Sequence, residues 1–275
     1  MEDAHTTVLS LIDGKKISFF GVFDGHGGST VAKFAGEKLH TQIAETAEFK
    51  DGNFKDSLKS GFLSFDLALS KEPVMQSDSS GCTSVTILIT EDNRLFCANA
   101  GDSRAVLSRG GGAIPLSQDH KPTNPEEINR ITMAGGFVEF GRVNGNLALS
   151  RALGDFEFKD VADLPPEQQI VTANPDITEQ TLDQNDEFVV LACDGIWDVL
   201  SNQQVVDFVR ERLLNHGDLA KAAEELMDRC LAKDSDMGGV GCDNMTVIIV
   251  GTLLGRTQEQ WIEAIKSKAG DLISN

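Results

Sequence analysis

Residues 17–23, Ile-Ser-Phe-Phe-Gly-Val-Phe, make a short, aromatic-rich apolar run that ends at Asp24-Gly25-His26. A run of that length and composition suits a buried strand better than a helix. Asp24 then stands where a strand leaves the core, with its side chain able to reach a cleft. The pattern recurs. Phe188 to Cys193 ends at Asp194-Gly195, Asp243 stands just before the apolar run Met245 to Gly251, and Glu2 and Asp3 open the sequence. Several hard oxygen donors arriving from strand ends are what a magnesium or manganese site requires.

An Asp-Gly pair taken alone is a turn signal. Asp13-Gly14 and Asp51-Gly52 have polar surroundings and keep that reading. Asp24 and Asp194 follow strongly apolar runs, and a carboxylate at a buried strand end needs a hydrogen bond, a cationic partner or a metal. No Lys or Arg lies within six residues of either, which favours metal while leaving distant partners open. A hydrolase holding two divalent ions about 4 Å apart uses a bridging carboxylate, further carboxylates and water. The bridging water loses its proton readily and becomes the nucleophile. Gly25 lets the backbone turn sharply and offer its carbonyl. His26 could protonate a leaving alkoxide, since imidazole titrates near neutrality; a histidine in a glycine-rich loop is also often just solvated. Asp102 in Gly-Asp-Ser-Arg fits a plain hairpin turn, and Asp198 fits a helix cap.

Other chemistries find less support. A cysteine-based phosphoryl mechanism needs an Arg six residues after the Cys, and the five cysteines (82, 97, 193, 230, 242) are followed at that distance by Leu88, Ser103, Val199, Asp236 and Ile248. The five histidines show no zinc-ligand spacing. No Gly-x-Gly-x-x-Gly or P-loop occurs. A formal charge of −19, from 24 basic and 43 acidic residues, argues against nucleic acid and anionic membranes as partners. Unpaired cysteines without a signal peptide suggest a reducing compartment, cytoplasmic or nuclear.

At 275 residues, with no linker or repeat, the chain reads as one domain. Asp13-Gly14 predicts a two-residue hairpin between residues 6–12 and 17–23. Helical spacing covers about 29–49 and 54–69, and a meander of strands follows through 85–90, 95–100 and 105–108. A short helix is expected over 124–134 and an irregular stretch from 135 to about 176. A central strand over 187–193, helices over 202–215 and 218–232, a glycine-rich turn at 238–241, a strand over 245–253 and a helix over 258–267 complete the chain. Helices bracket sequential strands instead of alternating with them, which predicts α+β with antiparallel sheets.

In these residues the sequence resembles the protein phosphatase 2C family of metal-dependent Ser/Thr phosphatases. The resemblance rests on Met-Glu-Asp-Ala-His (1–5), Phe-Asp-Gly-His-Gly-Gly (23–28), Ser-Gly-Cys-Thr-Ser (80–84) and Asn-Ala-Gly-Asp-Ser-Arg (99–104). It continues in Asp-His-Lys-Pro (119–122), Leu-Ala-Leu-Ser-Arg-Ala-Leu-Gly-Asp (147–155), Leu-Ala-Cys-Asp-Gly-Ile-Trp-Asp (191–198) and Cys-Asp-Asn-Met-Thr (242–246). It implies two stacked antiparallel β-sheets flanked by helix pairs, a four-layer α-β-β-α sandwich with a metal cleft at one end. By the same resemblance Asp24 is the carboxylate shared by two Mg²⁺ or Mn²⁺ ions, with the Gly25 carbonyl on one and Asp194 and Asp243 completing the other. Glu2 and Asp3 match the acidic pair that holds metal-bound waters, and His26 the general acid. Asp102 and Asp198 match residues that hold a weaker third ion in some members. Residues 135–170 match a flap beside the cleft.

The implied activity is hydrolysis of phosphoserine and phosphothreonine in proteins by a metal-bridging hydroxide, in a monomer whose partners are phosphoproteins and kinases. Family members carry a further N-terminal strand ending in a phosphate-binding arginine shortly before Met-Glu-Asp-Ala-His. The sequence starts at Met1, so residues 1–275 are expected to be an N-terminally truncated catalytic domain, with lowered efficiency and metal binding largely kept. The alternative is a catalytically weakened module that binds phosphoproteins or kinases. A two-metal nuclease fits the carboxylates but not the charge.

Overall fold

Phe19 and Phe23 pack against helices, whereas Phe20 and Val22, on the opposite pleat of the same strand, pack against a second sheet. Side chains alternate faces along a strand, so one strand buried on both sides reads as an unbroken apolar run. The same holds late in the chain: Val189 and Leu191 face the first sheet, and Phe188 and Val190 face a second set of helices. Three apolar interlayers therefore stack between four layers, helix, sheet, sheet and helix.

The computed structural model describes residues 1–232 and 239–273. In chain order the strands are β1 (Ala4–Val8), β2 (Ser18–Phe23), β3 (Gly25–His26), β4 (Gly81–Cys82), β5 (Ser84–Ile89), β6 (Arg94–Ala100) and β7 (Arg104–Arg109). They continue as β8 (Gly112–Pro115), β9 (Val138–Glu139), β10 (Arg142–Val143), β11 (Leu153–Gly154), β12 (Asp176–Thr181), β13 (Asp186–Ala192) and β14 (Val247–Gly251). The helices are α1 (Thr30–Glu45), α2 (Ala47–Lys50), α3 (Phe54–Leu69), α4 (Pro125–Met133), α5 (Asp194–Trp197), α6 (Asn202–His216), α7 (Leu219–Cys230) and α8 (Gln258–Ile273).

One sheet has the order β1-β2-β5-β6-β12 and the other β14-β13-β7-β8, with antiparallel pairing throughout both. The expected α+β sandwich of two antiparallel sheets flanked by helices is the observed architecture. A third, small sheet, β11-β4-β3, is made of two-residue strands. No described helix is long and apolar enough to cross a membrane.

Two expectations need correction. The chain does not turn from β1 to β2 through a two-residue hairpin. Val8 pairs with Phe19, and residues 9–17 form a loop in which Gly14 (φ +77°) is only one turn. The Ser10 hydroxyl donates to the carbonyls of Ile12 and Lys15, and the Lys16 N–H donates to Glu91; these bonds replace the ladder. The helix expected over 29–49 also breaks. Thr46 adopts an extended backbone, and its hydroxyl accepts from the Phe49 N–H, so it caps α2 and ends α1. The glycine-rich turn expected at 238–241 begins at Gly238, outside the described residues.

Candidate metal and proton-transfer site

Five chain segments bring carboxylates to one end of the sandwich. Asp24 sits between β2 and β3, Asp102 between β6 and β7, and Asp194 starts α5 directly after β13. Glu2 and Asp3 precede β1, and Asp243 precedes β14. Backbone contacts lock the segments together. The Glu2 N–H donates to Asn244 Oδ1 at 2.8 Å, and the Thr246 hydroxyl donates to Asp3 Oδ2 at 2.7 Å. A Cβ on Gly25 would overlap the Glu2 carbonyl oxygen, and one on Gly195 would overlap the Asn244 carbonyl oxygen. Glycine is required at both positions because backbones approach each other there, a reason the sequence alone does not reveal.

Electrostatics confirm how close these groups lie. Burial, then the charges of Asp3, Asp194, Asp102 and Asp243, push Asp24 from the ordinary 3.8 up to about 9. Burial, followed by Asp102, Asp198 and Asp243, pushes Asp194 up to about 6, against a smaller opposing effect from Lys121. Like charges held together in a partly dry place favour the protonated form. Asp3, Asp102 and Asp243 thus lie near enough to act on Asp24, and Asp198, exposed at the end of α5, acts on Asp194, while Glu2 acts on His26.

Sequence inspection missed the two cations nearby. Lys121 Nζ lies 2.5 Å from Oδ2 of the buried Asp102, and Arg104 pairs with Asp119 at 2.8 Å. Lys121 belongs to Asp-His-Lys-Pro, 19 residues beyond Asp102, so a search of near neighbours in sequence passes it by.

The donor set fits a hydrated divalent ion. Oδ1 of Asp3 is buried with no hydrogen-bond partner among the described residues, beside the electrostatically strained Asp24. A buried orphan oxygen among carboxylates calls for a cation. Among the described residues no three His, Cys, Asp or Glu side chains converge as a direct ligand shell. A divalent ion that keeps water in much of its coordination sphere needs few direct protein ligands.

His26 has a partner to which no role was assigned from the sequence. Its Nε2 lies 2.9 and 2.8 Å from the two carboxylate oxygens of Asp155, a residue only 3% exposed. The small sheet explains the meeting. His26 on β3 and Gly154 on β11 both pair with Gly81 on β4, so Asp155, the next residue, arrives beside the imidazole. A Cβ on Gly81 would collide with the Asp155 carboxylate and lie 2.6 Å from His26 Nε2. Burial works against the imidazolium, but the hydrogen bond and charge of Asp155, with Asp102 and Glu2, outweigh it and raise the His26 pKa. The signal was present in the sequence, since Asp155 ends the 147–155 motif, yet two-residue strands leave no periodicity from which to read the contact.

Known proteins share the pattern. A profile described as "Protein phosphatase 2C" matches residues 1–237. Protein phosphatase 2C homolog 2 of Hypocrea jecorina is 54% identical over 279 residues, covering 98% of this chain, which spans 64% of that relative's length. The protein of the same name in Schizosaccharomyces pombe is 54% identical over 272 residues, with 98% of this chain and 74% of that one covered. Among solved structures, a phosphatase of Toxoplasma gondii superposes with a TM-score of 0.77 at 28% identity, over 91% of this chain and 88% of that one. A sex determining protein of C. elegans gives 0.79 at 26% identity, over 96% and 64%. Shared fold, shared motifs and a match across most of the sequence lead to one assignment: this chain belongs to the protein phosphatase 2C family.

Proposed function

We propose that the chain hydrolyses phosphoserine and phosphothreonine in proteins with the help of Mg²⁺ or Mn²⁺ held by the acidic centre. The observation that carries this reading is the pairing of that centre with the His26–Asp155 dyad. Asp24, Asp3, Asp194 and Asp243 would hold the ions, with Glu2 and Asp102 alongside. The chemistry such ions supply is Lewis-acid stabilisation of a phosphate monoester and activation of water.

The chain's own side chains handle the proton. Asp155 accepts the Nε2–H of His26, which fixes the ring and favours its protonated form. Nδ1 has no hydrogen-bond partner among the described residues, so its proton is available to a substrate. As water oxygen joins phosphorus, the ester bond breaks with its electrons going to the serine or threonine oxygen, and that oxygen takes the His26 proton. The proton lost by water returns to His26 through solvent. No covalent phosphoenzyme is needed; Cys82 and Cys97 are buried, and burial pushes both of these thiols up, away from the nucleophilic thiolate.

The weakened-module alternative needs acidic residues and a surface, but not a proton donor with its own orienting carboxylate. The His26–Asp155 pair therefore favours the hydrolase. The test is phosphate release from a phosphothreonine peptide with Mn²⁺, with EDTA, and in Asp194→Asn. Activity is expected only in the Mn²⁺-loaded wild-type protein, with the variant down at least about 100-fold. Release that survives chelation would remove the reading, and binding of the peptide without release would favour the module.

A further inference from the structure

Asp155 reaches His26 only because two consecutive residues adopt left-handed backbone: Gly154 at φ +77° and Asp155 at φ +50°. A left-handed non-glycine residue costs about 1 kcal/mol or more and persists where its surroundings over-determine it. Part of that determination is local. The Asp155 N–H donates to the Ser80 carbonyl at 3.3 Å, and Leu153 and Gly154 pair with β4.

The rest comes from another layer. Asp66, on α3, is 8% exposed, and its two oxygens grip the turn at both ends. Oδ1 accepts from the Gly154 N–H at 2.8 Å, and Oδ2 pairs with Lys159 Nζ at 2.8 Å. Lys159 in turn donates to the Ala152 carbonyl at 2.8 Å. The segment 152–159 is thus clamped by one carboxylate and one ammonium, both nearly out of solvent. A buried ion pair is a poor way to gain stability, since apolar replacements are often as stable. It does fix geometry, and here the backbone N–H it fixes belongs to the residue before Asp155.

We propose that Asp66 is a remote positioning residue for proton donation: through the Gly154 N–H and Lys159 it holds the left-handed turn that aims the Asp155 carboxylate at His26. Asp66 touches neither the acidic centre nor the imidazole. Its influence runs Asp66 to Gly154, Asp155 and His26, and it rests on His26 being the proton donor in the proposed hydrolysis.

Leaving-group dependence separates this role from a general structural one. A phosphothreonine peptide expels an alkoxide that needs a proton, whereas p-nitrophenyl phosphate expels a stable phenolate that does not. In the Mn²⁺-loaded protein, His26→Ala and Asp155→Asn are expected to lose roughly 30-fold or more in kcat on the peptide and about threefold or less on the nitrophenyl ester. Asp66→Ala should follow the same pattern more mildly, about tenfold against twofold, with KM unchanged. Asp66→Ala combined with Asp155→Asn should be no worse than Asp155→Asn alone, because both act through one group. If Asp66→Ala does not fold, the pair Asp66→Leu with Lys159→Met removes the acceptor for the Gly154 N–H without leaving an unpaired buried charge, and is read in the same way.

Equal losses on both substrates for the Asp66 variants, with the selective loss kept in His26→Ala, would overturn the positioning role alone. Absence of the selective loss in His26→Ala would overturn the proton-donor reading and the positioning role with it.

Discussion

Thr246 donates its hydroxyl to Oδ2 of Asp3 at 2.7 Å, across 243 residues of chain. That bond, with Glu2 on Asn244, latches the segment before β1 to the segment before β14 and leaves Asp3 Oδ1 buried without a hydrogen-bond partner among the described residues. Thr246→Val keeps the shape and removes the donor, so the chelated protein should lose roughly 1–3 kcal/mol in urea unfolding. Added Mn²⁺ should restore part of the loss by engaging the carboxylate. A variant as stable as the wild type in EDTA would mean that the latch contributes nothing.

Cation binding should release protons. With Asp24 raised to about 9, the ion-free centre carries a proton at pH 7 that a bound ion must displace. Titration calorimetry of Mn²⁺ in buffers of different ionisation heat should report release of about one proton at pH 7. Affinity should therefore rise with pH until about 9. In Asp24→Asn that proton should vanish from the balance along with most of the affinity.

Acid should attack the protein first through Glu127, which is buried on α4 and pairs with Arg151 at 2.7 Å. Burial opposes its charge, but Arg151, Arg130 and Ser150 outweigh it and hold the carboxyl at about 2 instead of 4.5. Between those values the unfolded chain binds more protons than the folded one, so stability is present above 4.5 and drains away as pH falls through 2. Urea midpoints at pH 5 and pH 3 should give roughly 2 kcal/mol of loss from this group. Glu127→Gln starts less stable and should lack that part of the pH dependence.

The β9–β10 hairpin turns through Phe140 and Gly141, both at positive φ (+50° and +75°), and Phe140 is 94% exposed. Two left-handed residues make the turn type that prefers Asn-Gly. Phe140→Asn should raise stability by roughly 0.5–1 kcal/mol, visible as a higher thermal midpoint. A lower midpoint would show that the exposed ring is packed after all.

What could be read in advance follows from what leaves a mark on the sequence. β2, β6 and β13 were legible because both faces are buried, so their apolar runs and the carboxylates at their ends stand out. β12 was hidden, since Asp-Ile-Thr-Glu-Gln-Thr is an exposed edge strand held mainly by its ladder with β6. β3, β4 and β11 are too short to carry any period, and they are what joins His26 to Asp155. Asp24 and Asp194 announced themselves by apolar context. Lys121 and Asp66 did not, because their partners are distant in sequence and only the folded layers bring them close.

The latch between Asp3 and Thr246 also sets an order of events during synthesis. A chain synthesised only as far as α6 contains Asp3, Asp24, Asp102 and Asp194, but neither Thr246 nor β14, the edge partner of β13. At that moment the segment before β1 lacks the Asn244 and Thr246 contacts that latch it in place. The Asp3 latch closes only when β14 has docked on β13, so the acidic centre is completed from both ends of the described fold at once.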